Sequence, residues 1–113
     1  RRVRLDVVTP RRFDVYLVSL DPAQGAEIRK TRPGVVVSPD EANDYLRAVL
    51  IAPMTSAIKR YPSRVRLKFQ GRDGEVALDQ MRALDKSRLV KRLGVVSDAT
   101  ASRITETLIE YFS

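Results

Sequence analysis

Arg32 and Thr55 are the two residues of this chain best placed to do chemistry. Arg32, followed by Pro33, stands where a long polar loop meets the apolar run Val35-Val36-Val37. Thr55 stands where a second apolar segment opens into another polar loop. Strand ends hold the backbone firmly while leaving the side chain exposed, so the two could share one cleft. There a guanidinium would stabilise negative charge developing on a phosphate, and a hydroxyl would donate to its non-bridging oxygen. Taken singly, each has a plainer account: a surface arginine, and a turn hydroxyl satisfying local backbone. The rest of the inventory narrows the chemistry by exclusion. With no Cys and no His, there is no thiolate nucleophile, disulfide framework, zinc ribbon or imidazole acid–base catalyst. The nearest approach to a metal site is Asp73, Glu75 and Asp79. Glu75 and Asp79 would share a strand face, but two carboxylates from one strand make a poor Mg²⁺ site. We therefore expect neither metal nor cofactor. The five glycines are scattered and form no phosphate-cradling loop.

Charge points to a polyanion. The chain of 113 residues carries a formal net charge of +7, and 21 of its residues are Lys or Arg. Arginine dominates among them, and its planar fork suits bidentate phosphate contacts and base stacking. Residues 55–72 hold Lys59, Arg60, Arg64, Arg66, Lys68 and Arg72 with no acid, while residues 13–54 and 73–113 are close to neutral. Solvated surface explains most basic stretches in small proteins. Concentration into one acid-free window favours a nucleic-acid partner instead. No apolar run is longer than Ala48 to Met54, which excludes a transmembrane helix. The basic start is not followed by an apolar stretch, so no signal peptide is expected.

Length and a 43% hydrophobic content imply one compact domain. Residues 1–10 lack a clear period and end at Pro10, and are read as an N-terminal arm or appended segment preceding a domain at 11–113. Phe13, Val15 and Leu17 alternate with Asp14 and Tyr16, the pattern of a half-buried strand. Asp21-Pro22 opens a polar loop to Arg32, and Val35-Val36-Val37 reads as a short buried strand. Residues 39–45 read as a turn or one helical turn, and Leu46 to Pro53 as the next strand. After a polar connection from Thr55 to Pro62, Val65, Leu67 and Phe69 point one way and Arg64, Arg66 and Lys68 the other. Gly71-Arg72-Asp73-Gly74 reads as a hairpin turn, and Glu75 to Leu78 as its return, with Val76 and Leu78 inward. Between Leu84 and Leu93 a turn at Asp85-Lys86-Ser87 precedes another strand. The one clear helix is last: Ser97 caps it, Asp98 favours its positive end, and Ile104, Leu108, Ile109 and Phe112 share one face. That face either covers the core or meets a partner; we assign it to the core, because a barrel this small needs a cover. Short strands at close spacing with a terminal helix indicate a mainly β protein, a small twisted barrel or curled sheet.

These residues carry a resemblance. Arg12-Phe13-Asp14-Val15-Tyr16-Leu17-Val18, Leu20-Asp21-Pro22 and Gly25-Ala26-Glu27 are followed by Lys30-Thr31-Arg32-Pro33-Gly34-Val35-Val36-Val37-Ser38. Then come Ala52-Pro53-Met54-Thr55-Ser56, Tyr61-Pro62, Leu78-Asp79-Gln80-Met81-Arg82 and Asp85-Lys86-Ser87-Arg88-Leu89. In this order and spacing the chain resembles the MazF/PemK family of toxin–antitoxin endoribonucleases over about residues 11–113. The resemblance implies an SH3-like β-barrel of the MazF/PemK/CcdB type with a C-terminal helix. It implies a homodimer in the bacterial cytoplasm that cleaves single-stranded mRNA at short sequences without metal, restrained by an acidic MazE-like antitoxin. Arg32 and Thr55 match the family's catalytic arginine and threonine. Asp79 matches an aspartate that joins the catalytic set in the PemK branch, although Ala77 stands where that branch has arginine. Otherwise Asp79 reads as a strand-end residue pairing with Arg82. An RNA-binding surface would include Glu27, Lys30, Ser56, Lys59, Arg60, Tyr61, Arg64, Arg66, Lys68 and Gln80, with Tyr61 stacking on a base. The competing function is a non-catalytic toxin or binding protein of the same fold, for example an inhibitor of DNA gyrase.

Overall fold

The computed structural model describes residues 9–19 and 31–113. The sites expected at Glu27 and Lys30, and most of the expected arm, lie outside the described residues. Pro10 is fully buried, so the packed body begins by that residue.

Among the described residues, seven strands form one antiparallel, curled sheet: β1 (Asp14–Ser19), β2 (Thr31–Val36), β3 (Ala48–Thr55), β4 (Arg64–Phe69), β5 (Arg72–Ala77), β6 (Arg82–Asp85) and β7 (Leu89–Val95). A short helix α1 (Asp40–Tyr45) links β2 to β3, and α2 (Asp98–Tyr111) ends the chain. The strand order is β4-β5-β3-β2-β1-β7, with β6 also paired to β3. Of the expected small barrel or curled sheet with a C-terminal helix, the structure has a mainly β half-barrel with that helix. Its curl is built into β3. The start of β3 pairs with β6 (Val49 opposite Leu84) and its end pairs with β5 (Thr55 opposite Glu75), while the 3₁₀ turn Leu78–Gln80 bends the chain between those two partners.

Curling the sheet buries β1 on both faces, where the alternation had suggested one. Val15, Val35, Val37, Ala52, Val76 and Leu78 pack with Val65, Leu67, Val96 and Ile104 in a core under α2. Tyr16, Val18, Val36, Val49, Ile51 and Leu84 form a second core within the curl. Asp14 is buried as well. Its carboxylate accepts the Arg11 backbone N–H at 2.9 Å and Arg92 Nη2 at 3.1 Å, contacts made far along the chain or across a turn.

Strand β3 runs Ala48–Thr55 rather than from Leu46 to Pro53, and the sequence-based assignments also shift at the β4–β5 hairpin and on the face of α2. The β4–β5 hairpin turns at Gln70-Gly71, both in the left-handed region (φ +52° and +80°), as a two-residue turn requires. Arg72 to Gly74 therefore belong to β5 rather than to the turn. In α2, Ser97 Oγ accepts the Thr100 backbone N–H at 3.1 Å as the expected N-cap. Ile104 is fully buried, but Ile109 and Phe112 are 64% and 70% exposed. Five residues advance a helix by about 140° from Ile104, which turns Ile109 away from the sheet.

Candidate functional site

The two residues singled out by strand-end geometry meet. Arg32 is the second residue of β2, opposite Val18 of β1, and Thr55 is the last of β3. With Ser56 they line one cleft of about 530 Å³, whose other walls include Pro33, Met54, Leu67, Phe69, Arg72, Gly74 and Leu93. Its lining combines the apolar Pro33, Met54, Leu67, Phe69 and Leu93 with the exposed polar Arg32, Ser56 and Arg72, a composition suited to orienting a ligand. Arg32 is exposed and Thr55 half-buried. The Thr55 hydroxyl oxygen accepts the Ala57 N–H at 3.1 Å. The local turn role anticipated for it is therefore real, and that bond also aims the hydroxyl, whose own proton stays available to donate.

Glycine shapes the wall beside Thr55. A Cβ on Gly74 would stand 2.6 Å from the Thr55 carbonyl oxygen, well inside contact distance, so the close approach of β5 to the end of β3 needs the missing side chain.

Behind this wall lies a charged cluster. Arg64, assigned by sequence to an exposed basic face, is instead buried, with 5% of its side chain exposed. Its Nε donates to Asp79 Oδ1 at 2.7 Å and its Nη1 to Glu75 Oε1 at 3.1 Å. Alternation was right that Arg64 points away from Val65, but the loop before β4 closes over it. Its guanidinium also lies 4.9 Å from the centre of the Tyr61 ring, which engages one face of that ring. The side-chain hydrogen bond to Asp79 raises the Arg64 pKa against the opposing effect of burial, with Glu75 adding to the rise. Burial pushes the Glu75 carboxyl up, but the backbone N–H groups of Arg60 and Lys59 together with Arg64 carry it below the ordinary carboxylate value. The Arg64 hydrogen bond likewise lowers Asp79. Glu75 and Asp79 thus do converge, on a guanidinium rather than a metal ion. Among the described residues, no group of three or more Asp or Glu could hold one.

The remaining candidates divide. Lys59, Arg60, Tyr61, Arg66, Lys68 and Gln80 are exposed. Asp79 is not part of the cleft lining. Its carboxylate accepts from Ser63 Oγ at 2.8 Å and from Arg64, so its partner is Arg64 and not Arg82. Gln70, Arg72 and Asp73 also line the cleft. The sequence reading offered none of them for this site, with Arg72 and Asp73 placed in the hairpin turn and Asp73 weighed only as a metal ligand. The two-residue pair Gln70-Gly71 and the inward parity of Arg72 with Gly74 and Val76 were the signals that could have found them. Among the described residues, no helix is long and apolar enough to cross a membrane.

Comparison with known proteins gives a consistent result. A family model described as PemK-like, MazF-like toxin of type II toxin–antitoxin system matches residues 11–112. The chain is similar to Endoribonuclease MazF of Staphylococcus saprophyticus, at 35% identity over 104 residues and 87% of each chain. Among solved structures it is similar to MazF from Deinococcus radiodurans (27% identity, TM-score 0.76, covering 94% of this chain and 98% of that one). It is also similar to a MazE–MazF structure from the same organism (27% identity, TM-score 0.79, covering 94% and 97%).

Proposed function

The chain belongs to the family of PemK-like, MazF-like toxins of type II toxin–antitoxin systems, and on that premise we propose that it is a metal-independent endoribonuclease acting on single-stranded mRNA in the bacterial cytoplasm. The observation that carries this reading is the cleft shared by Arg32, Thr55 and Ser56. RNA supplies its own nucleophile, so a site without His or Cys is sufficient. The 2′-oxygen bonds to the adjacent phosphorus as the P–O5′ bond breaks. One proton leaves the 2′-hydroxyl and one reaches the 5′-oxygen, giving a 2′,3′-cyclic phosphate and a 5′-OH end. Arg32 binds the non-bridging oxygens as the pentacoordinate phosphorane gathers charge. A guanidinium is too weak an acid to give up a proton unaided, so Arg32 serves electrostatically, with proton transfer through a relay. Thr55, its lone pair engaged by Ala57, donates its hydroxyl proton to a phosphate oxygen, and Ser56 assists.

The exposed cations Lys59, Arg60, Arg66 and Lys68 track the RNA backbone on this reading, and the free face of Tyr61 takes a base. Glu27, Lys30 and Gln80 complete the binding surface. Asp79, committed to Arg64 and Ser63, is assigned to support rather than to proton transfer. The protein works as a homodimer, and an acidic MazE-like antitoxin restrains it by occupying the RNA groove. Support for the antitoxin comes from the similarity to a MazE–MazF structure.

Incubation with a long single-stranded RNA in EDTA tests the proposal. Discrete fragments bearing 5′-OH and 2′,3′-cyclic phosphate ends are expected. Intact RNA together with inhibited DNA gyrase would move the chain to the non-catalytic alternative.

A further inference from the structure

Glu75 takes no part in the chemistry above, yet it is almost wholly buried, at 1% exposure. A buried carboxylate is costly unless its lone pairs are answered. Here they are answered by the loop that carries the candidate RNA-binding residues. Oε1 accepts the Lys59 backbone N–H at 3.1 Å and Arg64 Nη1 at 3.1 Å, and Oε2 accepts the Arg60 backbone N–H at 2.9 Å. Two successive backbone donors aimed at one anion make a small concave nest. Arg60 adopts the left-handed conformation (φ +62°), an unusual state for a residue with a side chain. Strand register then ties this nest to the cleft, because Glu75 stands directly across from Thr55, where paired Cβ atoms are about 5 Å apart. The chain leaves Thr55, runs outward, and returns to the carboxylate beside its starting point. Nearly all of its residues from Ser56 to Pro62 are exposed, so apolar packing contributes little to holding it.

We propose that Glu75 is a positioning residue, a buried anion that latches the loop after Thr55 so that Lys59 and Arg60 present their cations to the substrate phosphates next to the cleft. The proposal rests on the ribonuclease reading for its substrate, but the latch itself is readable without RNA.

Glu75→Gln replaces one carboxylate oxygen with an amide NH₂, so one of the two backbone N–H groups meets a donor and the loop comes free. Binding of a fluorescent 2′-O-methyl oligoribonucleotide, which lacks the attacking hydroxyl, is measured from low to high salt for both proteins. Two lost phosphate contacts make the slope of log K against log salt shallower by about 1.4. In cleavage assays KM rises at least tenfold while kcat changes less than about threefold. A merely structural effect would lower the fraction of active protein and leave the salt slope alone, so an unchanged slope with intact wild-type binding overturns the latch. Hydrogen exchange at the Lys59 and Arg60 amides of the wild-type protein decides it independently, including when the variant does not fold. Slow exchange at these exposed residues is expected, and exchange at unstructured-peptide rates overturns the proposal. A wild-type protein with both amides protected that neither binds nor cuts RNA would sink the ribonuclease reading and leave the latch standing.

Discussion

A guanidinium and a hydroxyl without a base between them do only certain things, and that restricts what each residue of the cleft contributes. On the proposed ribonuclease reading, Arg32 supplies charge and Thr55 supplies a directed hydrogen bond, both to the same phosphate. Removing preorganised charge stabilisation of this kind costs about 10²–10³ in rate. Arg32→Ala is expected to lose RNA cleavage by at least that factor with an unchanged circular dichroism spectrum, since Arg32 is exposed. Wild-type kinetics from the variant would remove Arg32 from the site. At Thr55 the comparison lies between Ser and Val. Ser keeps the oxygen that accepts from Ala57 and the hydroxyl proton proposed to reach the phosphate, whereas Val keeps the shape and loses both. Thr55→Ser should stay within about tenfold of wild type and Thr55→Val fall by about 10² or more in kcat, as measured on a short RNA containing one cleavage site. The sequence made both residues visible because strand termini and Pro33 mark them. It did not make Arg72 visible, because the side chain that faces the cleft does so only once the hairpin register is known.

At the level of elements, the cleft depends on β5 approaching the end of β3 more closely than any side chain permits. With a Cβ at residue 74 lying 2.6 Å from the Thr55 carbonyl oxygen, Gly74→Ala forces the two strands apart. Overpacking of this type costs about 1–3 kcal/mol, and displacement of Thr55 by even an ångström lowers the rate by about 10². Thermal unfolding and kcat should therefore fall together in this variant, and an unchanged kcat would show that Thr55 has not moved. The terminal helix gives a contrasting case in which stability alone responds. Ser97→Ala removes the cap on Thr100 N–H, worth about 1 kcal/mol, and Tm should drop by roughly 4 °C with cleavage at lower temperature unaffected. The cap was legible because it is a local rule. The assignment of Ile109 and Phe112 to the core was not, because it depends on how far round the helix the sheet extends.

For the molecule as a whole, the excess of positive charge is distributed differently in space from along the chain. Arg64 leaves the surface to join Glu75 and Asp79, while Lys59, Arg60, Arg66, Lys68 and Arg72 remain exposed in that window and Arg72 lines the cleft. The cluster also sets the response to acid. Both carboxyl pKa values are lowered in the folded protein, so the unfolded chain binds protons first as pH falls. The contribution of the cluster is complete above about pH 4.5, the unfolded carboxylate range, and is lost as pH drops through the lower folded values. Tm should therefore hold level from neutrality to about pH 5 and decline below pH 4. In Asp79→Asn that decline should be shallower, since one of the two titrating partners is gone. A parallel decline in both proteins would mean that Asp79 contributes nothing to acid stability.

What the sequence determined by itself is everything governed by short-range rules. Alternation marks the strands, β-branched runs mark the buried ones, Ser97 marks a helix start, and the missing His and Cys remove imidazole and thiolate chemistry, leaving Arg, Lys, Thr, Ser, Tyr, Asp and Glu. Ordered motifs over residues 11–113 carried the family resemblance, and with it Arg32 and Thr55. Tertiary structure alone decided the burial of Arg64, the partner of Asp79, the approach of Gly74 to Thr55 and the place of Arg72 in the cleft. These follow from the β4–β5 hairpin register, the loop that returns before β4 and the pairing of β5 with the end of β3, which bring residues 10 or more positions apart into contact. Local sequence sets which way a side chain points from its own strand. Only closure of the sheet sets what it meets there, solvent or a second charge.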